Sequence, residues 1–196
     1  MGKGLRLLLL PVAAWLALGS GAAAAGDCPG NPDALGTSRT IVVDPREHAR
    51  IGAMNYAETL PLADKEVVLT FDDGPLPPYT NKILEILAKE CVHATYFIVG
   101  AMARAYPDAL RKVYEAGHTI GTHTWSHQAV RKLKTIEEAK SEIERGISAV
   151  KRAVGGPIAP FFRFPYLSSS SAMATHLMNR QIATFSIDVD SKDYLT

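Results

Sequence analysis

The sequence predicts a mainly parallel α/β fold, and two observations carry that prediction. From Lys65 onward, short apolar segments rich in β-branched residues alternate with segments whose apolar residues repeat at helical spacing. Such alternation is typical of strand–helix–strand units. The chain has 196 residues, of which 47% are hydrophobic, as expected for one domain with a buried core. The pattern alone leaves open whether the sheet is flat and open or closed into a barrel.

Five segments are predicted to be strands. They are short, apolar and bounded by turn residues or polar clusters. They comprise residues 66–71, 94–99, 118–122, 161–164 and 182–187. Three helices are predicted between them. The first starts near Thr80, and the second runs from Pro107 to a cap at Gly117. The third follows Thr135, which forms a capping box with Glu138.

Residues 1–25 are predicted to be a secretory signal peptide. Lys3 and Arg6 provide a positive start, an apolar stretch follows, and small residues precede a cleavage site after Ala25. A retained membrane anchor is the alternative, although the apolar stretch is short for a span of about 20 residues. We therefore expect an exported protein, periplasmic or extracellular, with no stable membrane insertion after cleavage.

The rest of the chain divides into two parts. Residues 26–62 are predicted to be an extended lead-in, and residues 63–196 the folded domain. Export makes a disulfide between Cys28 and Cys91 possible. However, Cys28 lies in the lead-in and Cys91 has apolar neighbours, so we expect Cys91 to be a small buried residue. The net charge of +1 predicts no nucleic-acid partner, although a weaker local basic patch is compatible with it.

A pair of carboxylates, Asp72 and Asp73, follows the first predicted strand. Neighbours on a strand point in opposite directions, so one carboxylate could bind a metal while the other takes a proton. The alternative is a simple turn, because Asp-Gly and Gly-Pro are common turn dipeptides.

Two further polar clusters follow later strands. His123 and His127 are spaced so that their rings converge if the segment turns helically; otherwise they are loop residues beside a partly buried Trp. In the other cluster, Arg163 could hold a carboxylate, and Pro165 could present the N–H of Tyr166 to a substrate. The alternative for Arg163 is a surface position at a strand end. One Asp and two His together suit a catalytic metal site with an open position for water.

In order, residues 70–75, 123–127 and 163–166 resemble the first three motifs of the polysaccharide deacetylase family. This family includes nodulation chitooligosaccharide deacetylases, chitin deacetylases and peptidoglycan N-acetylglucosamine deacetylases. The resemblance implies a distorted (β/α) barrel with its site at the C-terminal ends of the strands. It also implies metal-dependent hydrolysis that removes N-acetyl groups from an acetylated polysaccharide or oligosaccharide and releases acetate.

The resemblance assigns roles to individual residues. It implies three ligands for a divalent metal, zinc being the commonest in the family: Asp73, His123 and His127. It implies that Asp72 is the general base, that Arg163 positions it, and that the N–H of Tyr166 faces the oxyanion. Residues 190–194 resemble the fourth motif, with Tyr194 in place of Trp. Pro165 and Tyr194 are therefore expected to contact the substrate.

The fifth family motif, which carries a His acting as general acid, has no counterpart before the sequence stops at Thr196. We therefore expect a barrel that is incomplete at the C-terminus, with an open parallel edge. Two alternatives remain for function. One is an esterase acting on O-acetyl groups, and the other is an inactive, truncated relic that binds carbohydrate.

Overall fold

A computed structural model describes residues 28–195 of the chain. The predicted signal peptide, residues 1–25, lies outside the described residues. Of the helices within residues 28–195, none has the length and hydrophobicity that crossing a membrane requires.

The core of the fold is one parallel sheet of six strands. The strands are β1 (Arg50–Ile51), β2 (Thr70–Asp72), β3 (Thr95–Ile98), β4 (Thr119–Thr122), β5 (Phe161–Phe162) and β6 (Ala183–Phe185). Their order across the sheet is β1-β6-β5-β4-β3-β2, and every neighbouring pair is parallel. From β2 to β6, each strand is added beside the previous one, as in a (β/α) barrel. The sheet does not close, since β1 and β2 are its two edges.

Five α-helices connect these strands. They are α1 (Tyr79–Lys89), α2 (Gly100–Ala105), α3 (Pro107–Glu115), α4 (Ile136–Val154) and α5 (Ser171–Asn179). The hydroxyl of Thr135 accepts from the Glu138 N–H at 3.1 Å, so the Thr135 cap of α4 is confirmed. The return contact of the predicted capping box differs, because the Glu138 carboxylate accepts from the Lys134 N–H, at 2.9 Å, and not from that of Thr135. The sequence did not predict α2 or α5. A helix of six residues such as α2 is too short to show a helical period.

Helix α4 lies at the centre of the packing because it contributes to both apolar clusters of the core. Val150 packs in a cluster with α1, α3, β3 and β4, which includes the fully buried Ile98 and Leu110. Ile143 packs in a second cluster with β5 and α5, which includes the fully buried Leu177. Substitutions on the inner face of α4 therefore affect both halves of the core.

The lead-in is part of the sheet, because β1 pairs with β6 in the register Arg50↔Thr184. The open edges are thus β1 and β2, and the outer edge of β6 is covered. Gly52 follows β1 with a φ of 116°, and a Cβ there would lie 2.6 Å from the carbonyl carbon of Ser186. Only glycine allows the lead-in to approach β6 so closely.

The expectation that Cys91 is an unpaired buried residue is wrong, because Cys28 and Cys91 form a disulfide. The lead-in returns along the C-terminal end of α1. There the Asn31 side chain donates to the Lys89 carbonyl, and the Gly36 N–H donates to the Glu90 carbonyl, both at 2.9 Å. Because these contacts join residues that are far apart in the sequence, the residues around either cysteine do not predict the disulfide.

The predicted strand at residues 66–71 is too long. Strand β2 begins only at Thr70, and Val67, Val68 and Leu69 are 78%, 43% and 41% exposed. Their apolar, β-branched character favours a buried strand. In the structure these residues precede β2 and lie outside the strand, with their side chains largely open to solvent.

Candidate metal centre and active site

Three polar clusters meet at the C-terminal edge of the sheet, where β2, β4 and β5 end. Ligand atoms of Asp73, His123 and His127 all lie within 4.8 Å of one another. Oδ1 of Asp73 is 3.1 Å from Nε2 of His127 and 3.5 Å from Nε2 of His123. The fold therefore brings these three side chains together, as predicted.

These distances fit a divalent metal ion. A tetrahedral centre with bonds of about 2.0–2.1 Å places its ligand atoms about 3.3 Å apart. The ring of His123 is 2% exposed, and its Nδ1 lies 2.7 Å from the Arg163 carbonyl, to which it can donate. This contact fixes the tautomer that leaves Nε2 as an acceptor facing Asp73. Burial lowers the pKa of His123, against the opposing effect of the Asp72 carboxylate, and favours the neutral ring that metals bind.

Asp72 lies beside this cluster and is held by Arg163. One guanidinium nitrogen, Nη1, donates to Oδ1 of Asp72 and to the hydroxyl of Thr70, both at 2.8 Å. The other, Nη2, donates to the Ser186 carbonyl at 3.0 Å, and the guanidinium lies over the ring of Phe97. Oδ2 of Asp72 stays open to the site, 3.9 Å from Nε2 of His123. One carboxylate oxygen is thus anchored while the other faces the candidate metal centre.

Arg163 is itself 3% exposed, so the alternative of a surface arginine is wrong. Burial lowers the pKa of its guanidinium, while pairing with Asp72 raises it. Arginine nevertheless remains charged inside proteins.

Two local predictions were wrong about how the site is built. Strand alternation does not separate Asp72 from Asp73, because β2 ends at Asp72 and Asp73 has a φ of 68°, in the left-handed region. Both carboxylates consequently face the same site. Likewise, His123 and His127 converge without a helical turn. Their ring centroids are 5.0 Å apart because Thr124 and His127 have φ values of 63° and 58°.

The loop of residues 123–127, here called the histidine loop, is held between two helices. At the start of α2, the N–H groups of Gly100 and Ala101 donate to the carbonyls of Thr124 and Trp125, at 2.9 and 2.8 Å. On the other side lies Gly146 of α4, where a Cβ would meet the Thr124 carbonyl at 2.5 Å. Close packing on both sides fixes the backbone from which the two imidazoles project.

Sequence reasoning missed Glu142 of α4, which also holds the histidine loop. Its carboxylate is 8% exposed and accepts from both the N–H and the hydroxyl of Ser126, each at 2.9 Å. A signal was present, because Glu142 lies on the buried face of α4 next to Ile143. Charged residues are almost never buried unless they have a partner.

Replacing Glu142 by alanine is expected to lower the free energy of unfolding by about 1–3 kcal/mol, because two donors of Ser126 lose their acceptor. It should also weaken metal binding about 10- to 100-fold, as loss of outer contacts does in metal sites. Chemical denaturation and competition with a metal chelator would measure the two effects. Glu142→Gln, which retains an acceptor oxygen, should lose less of both. Unchanged metal affinity in Glu142→Ala would contradict this role.

The remaining predicted residues lie at different distances from the cluster. The ring of Tyr166 is 4.7 Å from that of His127, and its N–H has no acceptor among the hydrogen bonds of residues 28–195. Pro165 is buried directly before it, in a short 3-10 turn. Tyr194 is 71% exposed and donates to Asp190 at 3.0 Å. In the described part of the chain, no hydrogen bond, ion pair or ring contact joins Tyr194 to the other predicted site residues.

The fold and site together define a parallel (β/α) protein with a candidate divalent-metal centre at its strand ends. The family model described as polysaccharide deacetylase matches residues 60–183, and the chain therefore belongs to the polysaccharide deacetylase family. The resemblance drawn from the three motifs is confirmed. Membership and the Asp-His-His cluster both indicate a divalent metal.

Individual relatives agree with this assignment. Over 137 residues the chain is 36% identical to a peptidoglycan-N-acetylglucosamine deacetylase of Bacillus cereus, covering 68% of this chain and 48% of the relative. Over 148 residues it is 31% identical to a chitooligosaccharide deacetylase of Sinorhizobium fredii, covering 72% and 66%. A family 4 carbohydrate esterase from Streptomyces lividans, solved in complex with acetate, matches with a TM-score of 0.61 and 30% identity over 68% of each chain. The chain thus spans about half to two thirds of the length of these relatives. The open parallel sheet and the structural match together confirm the predicted incomplete barrel fold.

Proposed function

We propose that the protein hydrolyses N-acetyl groups of a polysaccharide or oligosaccharide that contains N-acetylglucosamine. The products would be acetate and a free amino sugar. The observation that carries the proposal is the Asp73, His123 and His127 cluster beside Asp72, whose second oxygen stays open. The relatives named as N-acetylglucosamine and chitooligosaccharide deacetylases support this substrate class.

In this proposal Asp73, His123 and His127 hold zinc, because one carboxylate and two imidazoles with an open position form a set typical of catalytic zinc. A bound zinc ion would polarise the acetyl carbonyl and lower the pKa of water. Asp72 acts as general base and takes a proton from the attacking water through Oδ2, while Arg163 keeps Oδ1 fixed.

Tyr166 supplies the oxyanion contact in the proposed mechanism. Its N–H is without an acceptor in the described part of the chain. Its backbone is left-handed, with φ 58°, and its ring lies 4.7 Å from that of His127. A fixed N–H donor stabilises the negative oxygen of the tetrahedral intermediate more than that of the planar amide. Pro165 and Tyr194 are proposed to contact the sugar.

The proposal includes export to the periplasm or the extracellular space, since acetylated wall polymers and chitin oligomers occur outside the cytoplasm. Residues 1–25 would be the signal peptide, 26–62 the lead-in and 63–196 the catalytic domain. In support, the disulfide between Cys28 and Cys91 is of the kind that persists in oxidising compartments.

The test is acetate release from N-acetylglucosamine oligomers by the purified, zinc-loaded protein. Asp73→Ala should bind zinc more than about tenfold more weakly and lose acetate release, because one of three ligands is gone. Asp64→Ala, which removes an exposed carboxylate from the turn before β2, is the matched control and should behave like the parent protein.

Three results would overturn the proposal. Equal release by Asp73→Ala and the parent would exclude the proposed metal centre. Release from acetylated xylan but not from the amide substrate would assign the site to O-acetyl esters. A folded, zinc-bound protein that releases nothing from either substrate would make it a carbohydrate-binding relative without activity.

A further inference from the structure

A cavity lies between the α2–α3 segment and α4. It has a volume of about 580 Å³ and is lined by four arginines, together with small residues of the same helices. The arginines are Arg104, Arg111, Arg145 and Arg152. This cavity, here called the arginine groove, contains none of the residues of the candidate metal centre.

Trp125 of the histidine loop lies in the arginine groove and orders two of its cations. The guanidinium carbons of Arg104 and Arg145 are 4.9 and 4.6 Å from the centre of the indole ring. Cation–π contacts at this range hold a guanidinium plane in place without using its N–H donors. The guanidinium groups of Arg104 and Arg145 are therefore oriented in the groove, and their N–H groups remain available to donate to a ligand.

The positive charge of the arginine groove is only partly balanced. Arg111 pairs with Asp108, and Glu144, which also lines the groove, is engaged by Arg180 and His176. Within residues 28–195, Arg104, Arg145 and Arg152 have no carboxylate partner among the ion pairs. The chain as a whole carries a net charge of only +1, so this concentration of cations is local and not a consequence of composition. Neighbouring like charges destabilise each other, and a bound oxyanion would relieve that repulsion.

We propose that the arginine groove binds the carboxylate or phosphate groups of an anionic glycan. Arginine forks match planar or tetrahedral oxyanions through two parallel hydrogen bonds. A single-stranded nucleic acid fits less well, because its binding sites present several rings on which successive bases stack, and this groove contains one ring that already faces two arginines. The choice of a glycan rests on the proposed function, since a polysaccharide-modifying enzyme meets such polymers with its substrate.

The position of Trp125 links the arginine groove to the metal centre. Trp125 is two residues from His123 and two from His127, and its carbonyl accepts from the Ala101 N–H of α2. A glycan bound at Arg104 and Arg145 would thus lie against the loop that carries both imidazoles. The groove would retain the enzyme on a charged polymer while the metal centre acts on an acetylated sugar.

The chain contains two tryptophans, Trp15 and Trp125, so Trp15→Phe leaves the groove residue as the sole tryptophan emitter. Titrating this protein at low salt with polygalacturonate and with a glycerol phosphate polymer should change its tryptophan emission to saturation. Neutral dextran should leave the emission unchanged. Arg104→Gln combined with Arg145→Gln should weaken binding of the anionic polymers about tenfold or more. Lys82→Gln combined with Lys89→Gln removes the same charge from exposed positions of α1 and is the matched control.

The outcomes separate this proposal from the proposed deacetylation. Asp73→Ala should bind the anionic polymers as tightly as the parent, so loss of activity leaves the groove test intact. Polymer binding that falls equally in the two charge-matched pairs, or that dextran reproduces, would overturn the proposal. Tighter binding of single-stranded DNA than of either glycan would assign the groove to nucleic acid instead. The carboxylate and phosphate polymers, compared with each other, identify which oxyanion is preferred.

Discussion

Replacing Asp72, the proposed general base, by asparagine is expected to lower kcat/KM for the proposed deacetylation by about 10²- to 10⁴-fold, the usual contribution of a general base. Asparagine keeps an oxygen that can accept from Arg163, so the local structure should persist. It cannot take a proton from water, and no other carboxylate in the cluster is free for that role when Asp73 binds the metal. Steady-state acetate release together with the zinc content of the purified protein measures the effect.

Measuring zinc content distinguishes the loss of a general base from the loss of metal binding. Asp72→Asn should retain zinc at the parent level, whereas Asp73→Ala should not. Asp64→Asn provides the control for loss of an exposed carboxylate. If Asp72→Asn lost zinc together with activity, Asp72 would be a metal ligand and the roles of the two neighbouring aspartates would have to be exchanged. If it kept full activity, the base would lie elsewhere.

Replacing Cys28 and Cys91 together by serine is expected to lower the free energy of unfolding by about 4 kcal/mol. The two residues are 63 positions apart, and a cross-link over a loop of that length removes a corresponding amount of conformational entropy from the unfolded chain. Denaturant titration of the oxidised parent, the reduced parent and the double variant measures the loss.

The reduced parent is the internal control in this experiment. It should unfold at the same denaturant concentration as the double variant, and adding reductant to the variant should change nothing. Equal stability of the oxidised parent and the double variant would show that the contacts of Asn31 and Gly36 hold the lead-in on α1 without help from the cross-link.

Much of the fold could be predicted from sequence because its elements are locally encoded. The apolar period and the Thr135 cap specify α4, and the buried segment before Thr122 specifies β4. The six-residue helix α2 and the two-residue strand β1 could not be predicted. Such short elements exist because of what they pack against, and their own residues carry no period.

The candidate site, too, could be predicted from the sequence only in part. Residue types and their order were enough to select Asp73, His123 and His127, since few functions need that set at strand ends. The geometry that brings them together depends on left-handed backbone at Asp73, Thr124 and His127, which is unfavourable for non-glycine residues and is held by the surrounding structure. Glu142 and Gly146 supply part of that packing from a helix that follows the loop in sequence. No local pattern encodes such a constraint.

The pairing of β1 with β6 has a consequence for how the protein folds. Just after β1, the N–H of Ala53 donates to the carboxylate of Asp188, a contact that spans 135 residues. Contacts this non-local raise the contact order of a domain, and domains of high contact order fold slowly. Among the described strands, β1 is synthesised first and β6 last, so β1 has no neighbouring strand to pair with until β6 is present. We therefore expect docking of β1 to be a late step in folding, and partly synthesised chains to leave the outer edge of the sheet exposed.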